Sequence, residues 1–159
     1  MGTATVLNMA NESSSFGLAG ERLSDGASDV RLTLPARPEN VAVVRHVLGA
    51  FAEALRLPDG VVEDMRLAVT EACTNVVRHA YADGAPGPVQ ILIRPTGDAL
   101  EVVVSDEGRG LAAAPDSSGP GLGLPLIAAL TDSLEIEQQP SVGWRLLMSF
   151  SRTPHPEAA

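Results

Sequence analysis

Polar and apolar positions alternate strictly from Asp29 to Leu34, and the alternation stops at Pro35. This predicts a half-buried strand. From Pro38 and Glu39 the period lengthens, with apolar residues at Val41, Val44, Val47, Leu48, Phe51 and Leu55, which predicts a first helix through Leu55. Leu57-Pro58-Asp59-Gly60 interrupts the pattern. A second helix is expected from Val61 to Tyr81, burying Met65, Val69, Ala72, Val76 and Ala80, with Asp83-Gly84 and Pro86-Gly87 closing it. Val89–Arg94 and Ala99–Ser105 read as strands on either side of Thr96-Gly97-Asp98 and should pair as a hairpin. Asp106 to Gly121 is a loop rich in glycine and proline. A short apolar helix, Leu122–Leu130, and strands at Ser133–Gln138 and Gly143–Phe150 complete the pattern.

The resulting order, β-α-α-β-β-α-β-β, lacks the regular βαβ alternation of a parallel sheet. It predicts an α+β fold, a two-layer α/β sandwich with helices on one face of a mixed, largely antiparallel sheet. The 159 residues suffice for one domain with a real core, expected at 29–150 between a flexible N-terminal arm, 1–28, and a flexible tail, 151–159. The arm carries neither periodicity nor the basic start and apolar run of a signal peptide. No stretch approaches the roughly 20 apolar residues that span a bilayer, so a soluble protein with no membrane partner is expected.

Eleven basic against twenty acidic residues give a net charge of -9. That balance argues against direct binding of nucleic acid, whose phosphates are met by many Lys and Arg, and it suits protein partners with basic patches. Cys73 is the only cysteine, so no internal disulfide can form, and a reducing, cytoplasmic setting is the expectation.

Three segments could carry chemistry. Glu71 and Asn75 stand four apart on the second helix and share one face beside its apolar stripe, where helix meets sheet. A carboxylate there can act as a base and an amide oxygen can ligate Mg²⁺, although the same pair also makes an ordinary hydrogen bond at a helix rim. Asp106, at the end of a strand and followed by Gly108 and Gly110, can accept a hydrogen bond from an exocyclic amine such as adenine's, or simply form a tight turn. Gly119-Pro120-Gly121-Leu122-Gly123-Leu124 precedes the third helix, where backbone N–H groups can meet phosphate oxygens; a flexible linker has the same composition. It is neither a Walker loop nor a Rossmann fingerprint.

Taken together, and in this order, the segments resemble a known family. Glu71-Ala-Cys-Thr-Asn75-Val-Val-Arg-His79-Ala-Tyr81 resembles the N box of the GHKL (Bergerat) ATPases, Asp106 to Gly110 their D-x-G-x-G box, and Gly119 to Leu124 their second glycine box. The early strand, the two helices and the His-Ala-Tyr ending are similar to the anti-sigma serine kinase branch, over about Asp29 to Phe150. The resemblance implies Glu71 as general base and Asn75 as Mg²⁺ ligand. It implies Asp106 as adenine reader, with Gly108, Gly110, Gly119, Gly121, Leu122 and Gly123 at nucleotide-loop positions. It further implies ATP and Mg²⁺ as cofactors and phosphoryl transfer to a serine or threonine of an anti-anti-sigma (STAS-type) protein. A sigma factor as binding partner and a homodimer complete the expectation.

One departure stands out. Relatives often carry an Arg in or just before the second glycine box, where this chain has Ser117, Ser118 and Pro120, with no Lys or Arg between Arg109 and Gly123. Loss of that cation removes a stabiliser of developing charge and leaves open an alternative, a non-catalytic nucleotide-binding regulator that works by protein contact. His79 and Cys73 are expected to pack, Arg78 to be solvated, and Trp144 to lie in the core or on a sheet face.

Overall fold

The structure, a computed structural model, describes residues 5–6, 29–82, 85–109, 123–139 and 143–153. Among the described residues six strands form one sheet: β1 (Thr5–Val6), β2 (Val30–Pro35), β3 (Pro88–Thr96), β4 (Ala99–Asp106), β5 (Ser133–Gln138) and β6 (Trp144–Ser151). Their spatial order is β1-β2-β3-β4-β6-β5. Every pairing among the described residues is antiparallel, so the parallel component that a mixed sheet would have is absent there. The reason lies in the connections: β3 and β4 are joined by the two residues Gly97 and Asp98, and Gly97 supplies the positive φ, 50°, that such a turn needs. The two-residue β1, inside the segment expected to lack structure, extends the sheet beyond β2.

Three helices, α1 (Pro38–Ala54), α2 (Asp59–Asn75) and α3 (Gly123–Leu130), cover one face. Along β3 and β4 the inward positions Val89, Ile91, Ile93, Leu100, Val102 and Val104 are buried, while the alternate positions, apart from Ser105 at the end of β4, are more exposed. This is the period-two pattern of a sheet covered on one side. Val44, Leu48 and Ala52 on α1, Met65, Ala68, Val69 and Ala72 on α2, and Ile127 on α3 close the same core. The two-layer sandwich expected from the periodicity is the one observed.

α1 starts at Pro38, whose missing N–H costs nothing in the first turn. It ends in a Schellman arrangement, in which the N–H of Leu57 donates to the Ala52 carbonyl and that of Arg56 to the Glu53 carbonyl, both at 3.0 Å. Arg56 has φ 52° there, a position that usually falls to glycine.

α2 departs from expectation at its end. The α-helix ends at Asn75, and Val76–Ala80 continue as one π-helical turn before Tyr81 leaves in an extended conformation. A π-turn takes in an extra residue and rotates the chain beyond it, which is why it recurs at functional sites. Here it delivers the Ala80 carbonyl and the Tyr81 ring to the end of β4.

Candidate functional site

The site lies along the C-terminal half of α2 and is bounded by α3 and the end of β4. Glu71 and Asn75 are both half-buried, as residues bordering the apolar stripe should be. Gly123, the first residue of α3, packs directly on them. A Cβ added there would stand 2.8 Å from Glu71 Oε1 and 3.0 Å from Asn75 Nδ2, too close for any side chain to fit without displacement. The burial of Ile127 one turn along α3 fixes this approach.

At the other end of the π-turn, Asp106 closes β4 and is buried. Its Oδ1 accepts the Gly108 N–H at 2.9 Å. Burial pushes its carboxyl above the ordinary range, while hydrogen bonds from the backbone N–H groups of Gly108 and Trp144 pull it back. Among the described residues only backbone N–H groups hold this buried carboxylate, which keeps acceptor capacity for an incoming N–H. Gly108 permits this turn to lie on α2: a Cβ there would overlap the Ala80 carbonyl. The neighbouring Arg109 N–H donates to that same carbonyl at 2.7 Å.

The structure therefore brings together Glu71, Asn75 and Gly123 at one end and Asp106 and Gly108 at the other. Gly110, Gly119, Gly121 and Leu122 lie outside the described residues. Arg78 is exposed and His79 half-buried, both within the π-turn, and Trp144 opens β6 half-buried. Cys73 is buried, and that burial pushes its thiol up to about 12, so it is an inert packing residue.

Two contributors escape the sequence patterns. Gly143, read there only as the start of a strand, has φ 109° and a backbone so close to the Asp106 carbonyl that any Cβ would collide. Tyr81 donates its hydroxyl to the Pro88 carbonyl at 2.6 Å and accepts the Glu107 N–H at 2.9 Å. A glycine beside a strand start and a tyrosine at a helix end were the available signals, and neither specifies a tertiary contact.

The donors fit a magnesium nucleotide. Glu71 and Asn75 offer a carboxylate and an amide oxygen, the hard donors that Mg²⁺ takes, at the N-terminus of a helix, which favours phosphate. Among the described residues no group of three or more His, Cys, Asp or Glu could hold a metal alone. A cation here would share its coordination with phosphate oxygens, the usual mode for Mg²⁺ at nucleotide sites.

Comparison with known proteins identifies the family. The profile of a histidine kinase-like ATPase domain matches residues 34–150. The serine-protein kinase RsbW of Bacillus velezensis is 32% identical over 135 residues, 76% of this chain and 84% of that protein. Its namesake from Halalkalibacterium halodurans is 35% identical over 128 residues, 71% of this chain and 78% of the relative. With the RsbW of Bacillus subtilis identity is 38% over 86 residues, 54% of either protein, so this match spans about half of that relative. Among solved structures, the RsbU and RsbW domains of a Mycobacterium tuberculosis protein superpose with a TM-score of 0.64 at 21% identity, over 81% of this chain and 34% of that one. This likeness establishes the shared fold.

Proposed function

The chain belongs to the histidine kinase-like ATPase family, and on that premise we propose that it is an ATP-dependent serine/threonine protein kinase and anti-sigma factor. It phosphorylates a serine or threonine of an anti-anti-sigma (STAS-type) protein and sequesters a sigma factor. The observation that supports this reading is the packing of Gly123 on Glu71 and Asn75, which brings a carboxylate, a side-chain amide and a helix N-terminus to one point. Relatives that bear the name serine-protein kinase support it.

Asn75 would hold Mg²⁺ through its amide oxygen, and Glu71 orients the acceptor hydroxyl and takes its proton. The α3 N-terminus beginning at Gly123 holds phosphate oxygens, joined by the loop positions Gly110, Gly119, Gly121 and Leu122. Asp106 accepts the exocyclic amine of adenine, and Gly108 lets the backbone approach the base. When bound, Mg²⁺ would offset the phosphate charge. The chain acts in the cytoplasm; among the described residues no helix is long and apolar enough to cross a membrane.

Two copies pair through the open face of the sheet. One register row crosses that face as Arg31, Leu92, Val103, Leu147 and Glu135, with three apolar positions between a cation and an anion. A two-fold axis parallel to the strands through Val103 sets each Arg31 opposite the other copy's Glu135 and stacks the apolar positions, which suits an isologous dimer.

Ser117, Ser118 and Pro120, in place of a cation near the phosphates, favour a second reading in which the chain binds ATP without transferring phosphate. Incubation with labelled ATP and an anti-anti-sigma protein separates the two. The kinase labels its partner, and Glu71→Ala lowers the rate by roughly 10²–10⁴-fold, the contribution of a general base. Nucleotide binding with an unlabelled partner selects the second reading.

A further inference from the structure

Three consecutive N–H groups after β4 each have a different anchor. That of Glu107 donates to the Tyr81 hydroxyl at 2.9 Å, that of Gly108 to Asp106 Oδ1 at 2.9 Å, and that of Arg109 to the Ala80 carbonyl at 2.7 Å. The middle bond fixes the buried carboxylate, and the two flanking bonds tie the turn to the end of α2. Tyr81 is the only side chain among these anchors apart from Asp106 itself. Its hydroxyl donates onward to the Pro88 carbonyl at 2.6 Å, at the first residue of β3. Val89, the next residue, is the register partner of Asp106. The phenol therefore spans from the strand beside Asp106 to the turn beyond it.

The ring is held as firmly as the hydroxyl. A Cβ at Gly87 would collide with its Cε1, and one at Gly108 would stand only 3.0 Å from the same atom. Burial raises the phenol above its ordinary value, a bond from the Glu107 N–H lowers it, and the charges of Asp106 and Glu107 raise it further. The hydroxyl therefore stays protonated across the working pH range and keeps its donor for Pro88.

We propose that Tyr81 is a positioning residue for base recognition: bridging Pro88 and Glu107, its hydroxyl sets the Asp106–Arg109 turn so that the Asp106 carboxylate faces the exocyclic amine of the nucleotide base. This rests on the assignment of Asp106 as the adenine reader. Phenylalanine in place of Tyr81 keeps the ring contacts with both glycines and removes both hydrogen bonds. Glu107 is exposed, so water can take up its N–H and the fold tolerates the change. What is lost is the fixed direction of the carboxylate.

The test is calorimetric titration of the full chain with ATP and with ITP, which carries a carbonyl oxygen where adenine has its amine, for the wild type, Tyr81→Phe and Asp106→Asn. Tyr81→Phe should weaken ATP binding by roughly tenfold, the scale of one well-placed hydrogen bond, and should move the ATP-over-ITP preference towards that of Asp106→Asn. A general loss of stability would weaken both nucleotides equally. An unchanged preference in Tyr81→Phe, alongside a collapsed preference in Asp106→Asn, overturns the role of Tyr81 and leaves the base site standing. A wild type without preference, or an Asp106→Asn that keeps it, overturns the base-site assignment and this proposal with it. Amide exchange in the wild type gives a reading that needs no variant: protection of the Glu107 N–H is expected, and exchange at the free-peptide rate overturns the proposal.

Discussion

Asp106 shows how a buried carboxylate is held by backbone N–H groups. Burial raises its carboxyl above the ordinary range, and the Gly108 and Trp144 N–H groups only partly offset the effect. Between the unfolded value of about 4 and the raised folded value, the native state binds more protons than the unfolded chain. The contribution of Asp106 to stability is therefore largest at acid pH and falls as pH rises through that window. Asp106→Asn, which cannot ionise, should gain stability relative to the wild type as pH rises from about 4 towards neutrality. Urea midpoints at several pH values check this; a difference that stays constant or changes in the other direction contradicts it. The sequence placed Asp106 at a strand end followed by glycines, and it showed the residue types of Glu71 and Asn75 with their shared face. It could not show the Tyr81 bridge or the Gly143 approach, because both depend on where β3, β4 and β6 meet.

The elements repeat the same division. Both long helices and the β3–β4 hairpin were legible because a buried face imposes its period over two or more turns or several strand positions. The end of α2 was not. A π-turn changes the hydrogen-bond pattern over five residues while the apolar positions Val76 and Ala80 still suit a continuing helix. The C-terminus of α1 carries a comparable hidden feature, since Arg56 occupies the left-handed position of a Schellman motif. A Cβ there costs about 1 kcal/mol, partly returned by the lower entropy of the unfolded chain. Arg56→Gly should therefore stabilise the protein by about 0.5–1 kcal/mol, a rise of a few degrees in Tm for a chain of this size. Thermal unfolding of the variant measures it, and a lower Tm would show that the Arg56 side chain outweighs its backbone strain.

At the scale of the whole molecule, one face of the sheet serves the core, and the other is the face proposed above for pairing with a second copy. The sequence showed alternation in single strands. The row from Arg31 to Glu135 emerged only when the register joined residues over 100 positions apart. A charge at its centre should break the pairing without touching the core, because Val103 points away from the helices. Val103→Arg should sediment as a monomer under conditions where the wild type is a dimer, with its Tm for the monomer fold little changed. Equal sedimentation of the two proteins contradicts the proposed face.

In the proposed function, helix, strand end and glycine turn together form the site that moves phosphate from ATP to a protein hydroxyl. Labelled ATP, Mg²⁺ and an anti-anti-sigma protein test this most directly. We predict label on a serine or threonine of the partner, lost on chelation of the metal and lowered by roughly 10²–10⁴-fold in Glu71→Ala. Label that never reaches the partner, or that reaches it equally fast in Glu71→Ala, would contradict it.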